Sequence, residues 1–117
     1  MTNDKWKALT KVDPLVRALS NNVAGKFLKT KKSDVLSEAF LNSADGNKVA
    51  LLAKTSKWNH KGQPKHDQPL AGKVWQGEPE VDESTGVKQL QVSVPVLDGD
   101  KPIGSLVVGL SLTKLES

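Results

Sequence analysis

Residues 87–112 read VKQLQVSVPVLDGDKPIGSLVVGLSL, and this stretch decides the fold. Between residues 90 and 96 every second residue is Leu or Val, which is the period of two expected of a β-strand. An Asp-Gly-Asp turn at 98–100 separates this strand from the apolar segment 103–112. The pattern predicts two long antiparallel strands, the second buried on both faces, with its two glycines marking a bulge or the close approach of another backbone.

Three further strands are predicted upstream. Residues 35–42 and 49–52 flank Asp45-Gly46, and Asp-Gly between two apolar runs is a strong hairpin signal. Residues 73–81 form the next strand, which a turn at 82–86 follows. Between the hairpin and that strand lies the polar stretch 55–72, which predicts a long loop with a short helix near residues 65–71.

The N-terminal third has a helical pattern. Asp13-Pro14 is a start signal, because Asp caps a helix and Pro suits its first turn. Every fourth residue from Leu15 to Phe27 is apolar, which predicts one long helix that ends near Lys32. A shorter helix is expected before it, up to about residue 12.

Together these elements predict a single α+β domain over residues 1–117. A five-stranded, mostly antiparallel sheet carries the long N-terminal helix on one face. That face is expected to be the apolar side of the strand over residues 88–96, with Leu90, Val92, Val94 and Val96 packed on the helix.

The composition excludes several kinds of chemistry. The chain has no Cys, which rules out disulfides, thiolate metal sites and a thiol nucleophile. It also lacks a Gly-rich phosphate loop, His-Glu-x-x-His and Gly-x-Ser-x-Gly. His60 and His66 are six residues apart, which is not a metal-ligand spacing. We therefore expect no catalytic residue, no metal and no cofactor.

The charge is basic, with 17 Lys and Arg against 13 Asp and Glu. Lysines cluster at 26–32 and 54–73, and solvated surface charge explains them better than a polyanion site does. Arg17 is the one Arg, whereas specific base readout favours Arg, so no nucleic acid is expected as a partner. The sequence has no apolar run long enough to span a bilayer and no signal-peptide pattern, so we expect no membrane segment in it.

Two stretches resemble the bacterial Cache domains, which are also called PDC domains. Residues 39–58, AFLNSADGNKVALLAKTSKW, resemble the first hairpin of that family and the start of its ligand-binding loop. Residues 72–112, GKVWQGEPEVDESTGVKQLQVSVPVLDGDKPIGSLVVGLSL, are similar to its closing strands, with Ser-Val-Pro-Val, Asp-Gly and the Ile-Gly-Ser-Leu series in the family's order. The resemblance covers roughly residues 13–112.

This resemblance implies a PAS-like fold and a periplasmic or otherwise extracytoplasmic sensor that binds a small molecule and does not act as an enzyme. In the family the ligand lies on the concave sheet face, here beneath the 55–72 loop. Several subfamilies recognise amino acids through clusters of Tyr, Arg and Asp. This chain has no Tyr, and its Arg17 lies on the predicted helix, so we expect an organic acid or similar metabolite instead.

Eight residues are the candidate ligand-binding set. The strand face opposite the predicted helix supplies amide and hydroxyl groups, which orient polar ligands. The loop and the strand after it supply two indoles and three ionisable groups. Exposed loop and strand positions, and Trp side chains that close the edge of the core, are the alternative explanation. The set is Trp58, Lys65, His66, Trp75, Glu78, Gln89, Gln91 and Ser93.

A second function remains open at this stage. The chain would be a protein-interaction or dimerisation module without a small ligand if its N-terminal helix paired with that of a second copy.

Overall fold

The centre of the computed structural model is one antiparallel sheet, and the structure describes residues 1–52, 54–55, 57–81 and 88–115. Within these residues the strands run in the order β2-β1-β6-β5-β3, and β4 also pairs with β5. The turn predicted at 82–86 lies outside the described residues. The six strands are β1 (Leu36–Ser43), β2 (Lys48–Leu51), β3 (Trp75–Gln76), β4 (Glu80–Val81), β5 (Lys88–Asp98) and β6 (Lys101–Ser111).

The prediction of five strands was wrong at 73–81, which is divided into β3 and β4. The Gly77 amide still donates to the Gln91 carbonyl (2.9 Å). A Cβ on Gly77 would lie 2.8 Å from the Trp75 ring, so the indole folds over the break. Pro79 follows and has no N–H to continue the ladder, which explains the interruption.

The two predicted hairpins are confirmed. Gly46 has φ +87° between β1 and β2, and Gly99 has φ +60° between β5 and β6. Glycine adopts positive φ without the steric cost that other residues meet, so both Asp-Gly pairs allow the chain to reverse within a tight turn.

The long N-terminal helix is not found. The helices among the described residues are α1 (Asn3–Ala8), α2 (Pro14–Asn21), α3 (Val23–Lys31), α4 (Pro64–Leu70) and α5 (Leu112–Leu115). Asp13 caps α2 by accepting from the Leu15 amide (2.9 Å), so the predicted start is confirmed. None of the helices in the described residues has the length and apolar character to span a bilayer.

Asn22 separates α2 from α3. Its side-chain Oδ1 accepts from the Gly25 amide (2.7 Å) and caps α3, while its Nδ2 donates to the Val49 carbonyl on β2 (2.8 Å). A Cβ at Gly25 would lie 2.5 Å from the Leu19 carbonyl oxygen, so glycine permits the two helices to meet closely. A local cap and a contact with the sheet thus replace the continuous helix.

The core has one cluster on each face of the sheet. Trp6 and Val16 from the helices pack with Phe40, Leu51 and Val107. On the opposite face Leu28 of α3 packs on β1 and β2 at Ala39 and Ala50.

This packing corrects the predicted contact between β5 and the helix. Helix α3 covers β1 and β2, so Leu90, Val92, Val94 and Val96 are only half-buried. Strand β6 was predicted to be buried on both faces, but its residues alternate between buried and half-buried positions from Ser105 onward. Although both strands are rich in apolar residues, their apolar side chains on one face of the sheet remain partly exposed.

Candidate functional site

The strand register brings polar side chains together on one face of the sheet. Gln91 of β5 pairs with Gly109 of β6, which pairs with Glu38 of β1. Four residues further along each strand, Pro95 pairs with Ser105, and Ser105 pairs with Asn42. Because side chains alternate across a strand, these residues share the face that also carries Gln89 and Ser93.

Helix α4 lies across this face and contacts β3, β5 and β6. Gly62 has φ +90° and its amide donates to Asp67 Oδ1 (3.0 Å), which fixes the turn before the helix. Pro64 starts α4, as its fixed φ favours. The helix then directs His66 and Pro69 into the interior. The short helix predicted in the 55–72 loop is confirmed.

A polar cavity of about 350 Å³ opens between α4 and strands β3, β4 and β5. One ammonium group, two carboxylates, two amides and one indole surround it. Lys65 Nζ donates to Gln91 Oε1 (3.1 Å), which joins the helix to the strand across the cavity. Its volume is at the lower end of the range for small-molecule sites. The lining residues are Lys65, Trp75, Gly77, Glu78, Glu80, Gln89 and Gln91.

Burial lowers the pKa of Lys65, while the carboxylates of Glu38 and Glu80 act in the opposite direction and Lys57 adds to the lowering. The ammonium group is therefore partly desolvated and lies in the field of the two acidic side chains. A partly desolvated ammonium binds an anionic or strongly polar group more tightly than an exposed one does.

A chain of buried hydrogen bonds runs beside the cavity. We call it the buried polar chain; it consists of His60, Lys48, Asn42, Ser105 and His66, each at most 4% exposed. Lys48 Nζ contacts His60 Nδ1 and donates to Asn42 Oδ1 (2.6 Å), and Asn42 Nδ2 donates to Ser105 Oγ (2.9 Å).

The chain ends at His66 on α4. The Ala44 carbonyl lies 3.1 Å from His66 Nε2 and can only accept, so Nε2 carries the proton. In the neutral ring Nδ1 then accepts from the Ser105 hydroxyl (2.7 Å). The chain thus connects α4 to β1, β2 and the loop that carries His60, through groups that are mutually satisfied.

The two basic groups at the other end have lowered pKa values. Burial, with a smaller effect from Lys65, lowers the pKa of Lys48 to about 7. Burial first and the neighbouring Lys48 second lower the pKa of His60 to about 3. His60 is therefore neutral at physiological pH and offers Nδ1 as an acceptor to Lys48.

The structure brings five of the eight candidate residues together around the cavity: Lys65, Trp75, Glu78, Gln89 and Gln91. The other three lie elsewhere. Trp58 packs 5.3 Å from the Trp6 ring at the edge of the core, as the alternative explanation proposed. His66 is held within the buried polar chain, and Ser93 is fully buried.

Several residues of this region were missed in the sequence. Asn42 and Ser105 gave no local signal, because they are 63 residues apart, and Lys48 gave none, because its partners lie across the hairpin and on the following loop. Glu80 and Gly77 line the cavity beside predicted residues. The alternation of Glu78 and Glu80 on one strand was the signal available for Glu80. Among the described residues no three potential metal ligands of the His, Asp or Glu type come together.

We expect Ser93→Ala to leave the free energy of unfolding unchanged or to raise it by about 1 kcal/mol. Ser93 Oγ is buried and has no hydrogen-bond partner among the described residues, so the methyl group removes a polar atom that is not satisfied. Urea denaturation measures the change. Ser105→Ala is the matched control, because this buried hydroxyl has two partners, and it should cost about 1–3 kcal/mol. Equal losses in both variants would contradict the prediction.

No protein-family model and no curated protein matches the chain, whereas solved structures do. The sensor domain of the V. cholerae histidine kinase DctB is 21% identical, with a TM-score of 0.55 over 91% of this chain and 46% of that one. The ligand-binding domain of the Pseudomonas aeruginosa amino acid chemoreceptor PctC, solved with GABA, is 19% identical, with a TM-score of 0.58 over 97% and 49%.

The ligand-binding domain of the Campylobacter jejuni chemoreceptor Tlp3, solved with 4-methylisoleucine, is 14% identical, with a TM-score of 0.55 over 97% of this chain and 48% of that one. The chain therefore spans about half the length of the sensor domains that it matches. At these identities the likeness establishes the fold, which is that of Cache-type sensor domains, and confirms the resemblance seen in the sequence.

Proposed function

We propose that this chain is a non-enzymatic sensor module of bacterial signal transduction that binds a small polar molecule in the cavity beneath α4. The observation that carries the proposal is the cavity itself, a space of about 350 Å³ on the polar sheet face with one ammonium group and two amides turned toward it. A few convergent polar groups in a preformed cleft are typical of a small-molecule site.

The fold supports the same function. The similar solved structures are sensor and ligand-binding domains, two of them in complex with GABA and with 4-methylisoleucine. By analogy we place the module outside the cytoplasm, as a periplasmic or other extracytoplasmic domain. Fold analogy alone does not identify a ligand, so the ligand class has to come from the cavity.

The cavity favours a ligand with both an anionic and a hydrogen-bonding group. Lys65 would bind a carboxylate, and Gln89 and Gln91 would orient neighbouring polar atoms. The carboxylates of Glu78 and Glu80 would bind an ammonium group on the ligand. Organic acids and amino acids are therefore the two classes to screen.

Gln91→Ala should weaken the binding of the best ligand about tenfold, because one strong hydrogen bond is lost and Lys65 loses its partner. A thermal-shift screen of organic acids and amino acids would identify the ligand, since saturation at a hundredfold excess over Kd adds about 2.7 kcal/mol. Calorimetry then gives Kd for each variant.

Gln68→Ala is the matched control, since Gln68 lies exposed on the same helix and outside the cavity lining. Its Kd should equal that of the unaltered protein. The proposal fails if no compound in the screen stabilises the protein, or if both variants bind equally well.

The alternative function, a dimerisation module, stays a prediction. One observation favours a protein-interaction surface: the half-buried apolar face of β5 and β6. Sedimentation equilibrium over a range of concentrations tests it, and a strict monomer would exclude a stable dimer.

A further inference from the structure

Helix α3 exposes apolar side chains that the fold does not use. Its inner side packs on the sheet through Leu28, with Ala24 and Gly25 beside it. On its outer side Val23 is 88% exposed and Phe27 is 60% exposed. They are one helical turn apart and therefore lie on the same side. We define the outer face of α3 as the exposed residues Val23, Lys26, Phe27, Thr30 and Lys31.

Positive charge surrounds these apolar residues. Lys26 and Lys31 belong to the outer face, and the Lys31 ammonium lies 5.4 Å from the centroid of the Phe27 ring. Lys29 and Lys32 flank the face and are exposed as well. Between residues 23 and 32 the chain has no acidic residue to offset these four lysines.

The net positive charge of the chain is also concentrated in its N-terminal segment. Residues 1–33 contain eight Lys and Arg and two Asp, a net charge of +6. Residues 34–117 contain nine Lys and eleven Asp and Glu, a net charge of −2. The basic character of the protein is therefore concentrated in the segment that forms α1, α2 and α3, away from the acidic side chains of the cavity.

The combination of apolar and basic residues selects the partner. A second copy of this face would bring like charges into contact, which disfavours self-association. The phosphate backbone of a nucleic acid offers no apolar contact for the exposed Val23, and α3 contains no Arg. An anionic bilayer accepts both components, because apolar side chains enter the boundary of headgroups and acyl chains while lysines stay at the phosphates.

We propose that the outer face of α3 docks on an anionic phospholipid bilayer, with Val23 and Phe27 inserted among the headgroups and the lysines at the lipid phosphates. This interaction is distinct from ligand binding in the cavity and holds α3 parallel to the membrane surface. Each lysine near an anionic surface strengthens partition by about fivefold, and the effect weakens with salt.

Co-sedimentation with vesicles tests the proposal. The unaltered chain should bind vesicles of phosphatidylcholine mixed with phosphatidylglycerol and dissociate from them at high salt. It should not bind vesicles of pure phosphatidylcholine. Phe27→Ser should weaken partition about tenfold, because the inserted ring is lost. The double variant Lys26→Gln, Lys31→Gln should weaken it about 25-fold.

Matched control variants show whether vesicle binding depends on the outer face of α3 or on the total charge and exposed apolar area of the protein. Val74→Ser removes another exposed apolar side chain, and the pair Lys73→Gln, Lys101→Gln removes two exposed charges away from α3. These controls should bind anionic vesicles within about twofold of the unaltered chain, apart from the small effect of net charge.

Three results would overturn the proposal. One is equal binding to neutral and anionic vesicles. Another is no vesicle binding together with binding to heparin or DNA, which would assign the lysines to a polyanion. The third is an unchanged partition of Phe27→Ser. The vesicle assay contains no cavity ligand, so its result is independent of the proposed sensor function.

Discussion

The free energy of unfolding should rise between pH 7 and 10.5, with Lys48 contributing up to about 5 kcal/mol, and Lys48→Met should remove that contribution. Lys48 is 4% exposed, and burial lowers its pKa from 10.5 to about 7 in the folded protein. Between these values the unfolded chain binds a proton at Lys48 that the folded chain does not, so raising the pH stabilises the folded state. Below pH 7 both states are protonated at this residue, and the full destabilising effect of the buried charge is present.

Urea denaturation at a series of pH values measures the slope, which has a ceiling of about 1.4 kcal/mol per pH unit for one group. Lys65 adds a further rise in the same direction, because burial lowers its pKa too, and Lys48→Met leaves that part in place. His60 does not overlap, because its lowered pKa of about 3 places its contribution below its ordinary value of 6.5. Lys101→Met is the control, since Lys101 is exposed. Parallel profiles for the unaltered protein and Lys48→Met would show that Lys48 is not the group responsible.

The parts of the fold that sequence reasoning predicted well are those that local chemistry decides. Asp45-Gly46 and Asp98-Gly99 form hairpin turns through the positive φ of their glycines, and Asp13-Pro14 starts a helix by local capping. The break at Asn22 was not predicted, because it depends on the contact of the Asn22 side chain with a carbonyl 27 residues away on β2 as well as on the local cap at the Gly25 amide. The placement of α3 over β1 and β2 likewise depends on tertiary packing that periodicity does not report.

The candidate site divides in the same way. Strand alternation placed Gln89 and Gln91 on the polar face, and the structure has them at the cavity. Lys48 resembled any surface lysine, since its burial depends on His60 and on Asn42 across the hairpin. Ser105 lies 63 residues from its partner Asn42. Hydrogen bonds of this kind leave no pattern in the sequence, so the buried polar chain could not be predicted from it.

Gly104→Ala should destabilise the protein by about 3 kcal/mol or more, at the upper end of what overpacking costs. A Cβ at this position would lie far inside van der Waals contact of the Asn42 carbonyl oxygen on β1. That oxygen belongs to the backbone of a paired central strand, so it cannot move aside as a flexible side chain would. Relief requires β1 and β6 to separate next to Ser105, whose hydroxyl accepts from Asn42 Nδ2 (2.9 Å). The substitution should therefore loosen the buried polar chain as well as the sheet.

Gly62→Ala distinguishes this clash from the general effect of adding a methyl group. No atom lies within 4 Å of a Cβ at Gly62, so its cost should be about 1 kcal/mol, from the positive φ alone. Urea denaturation gives both values, and the hydrogen exchange of the Asn42 and Ser105 amides reports whether the strands separate locally. Equal stabilities for the two variants would mean that β1 and β6 accommodate the methyl group. Because Ser105 also bonds His66 on α4, a Gly104→Ala protein that still folds should bind its cavity ligand more weakly than the unaltered protein, since Lys65 precedes His66 on α4 and lines the cavity.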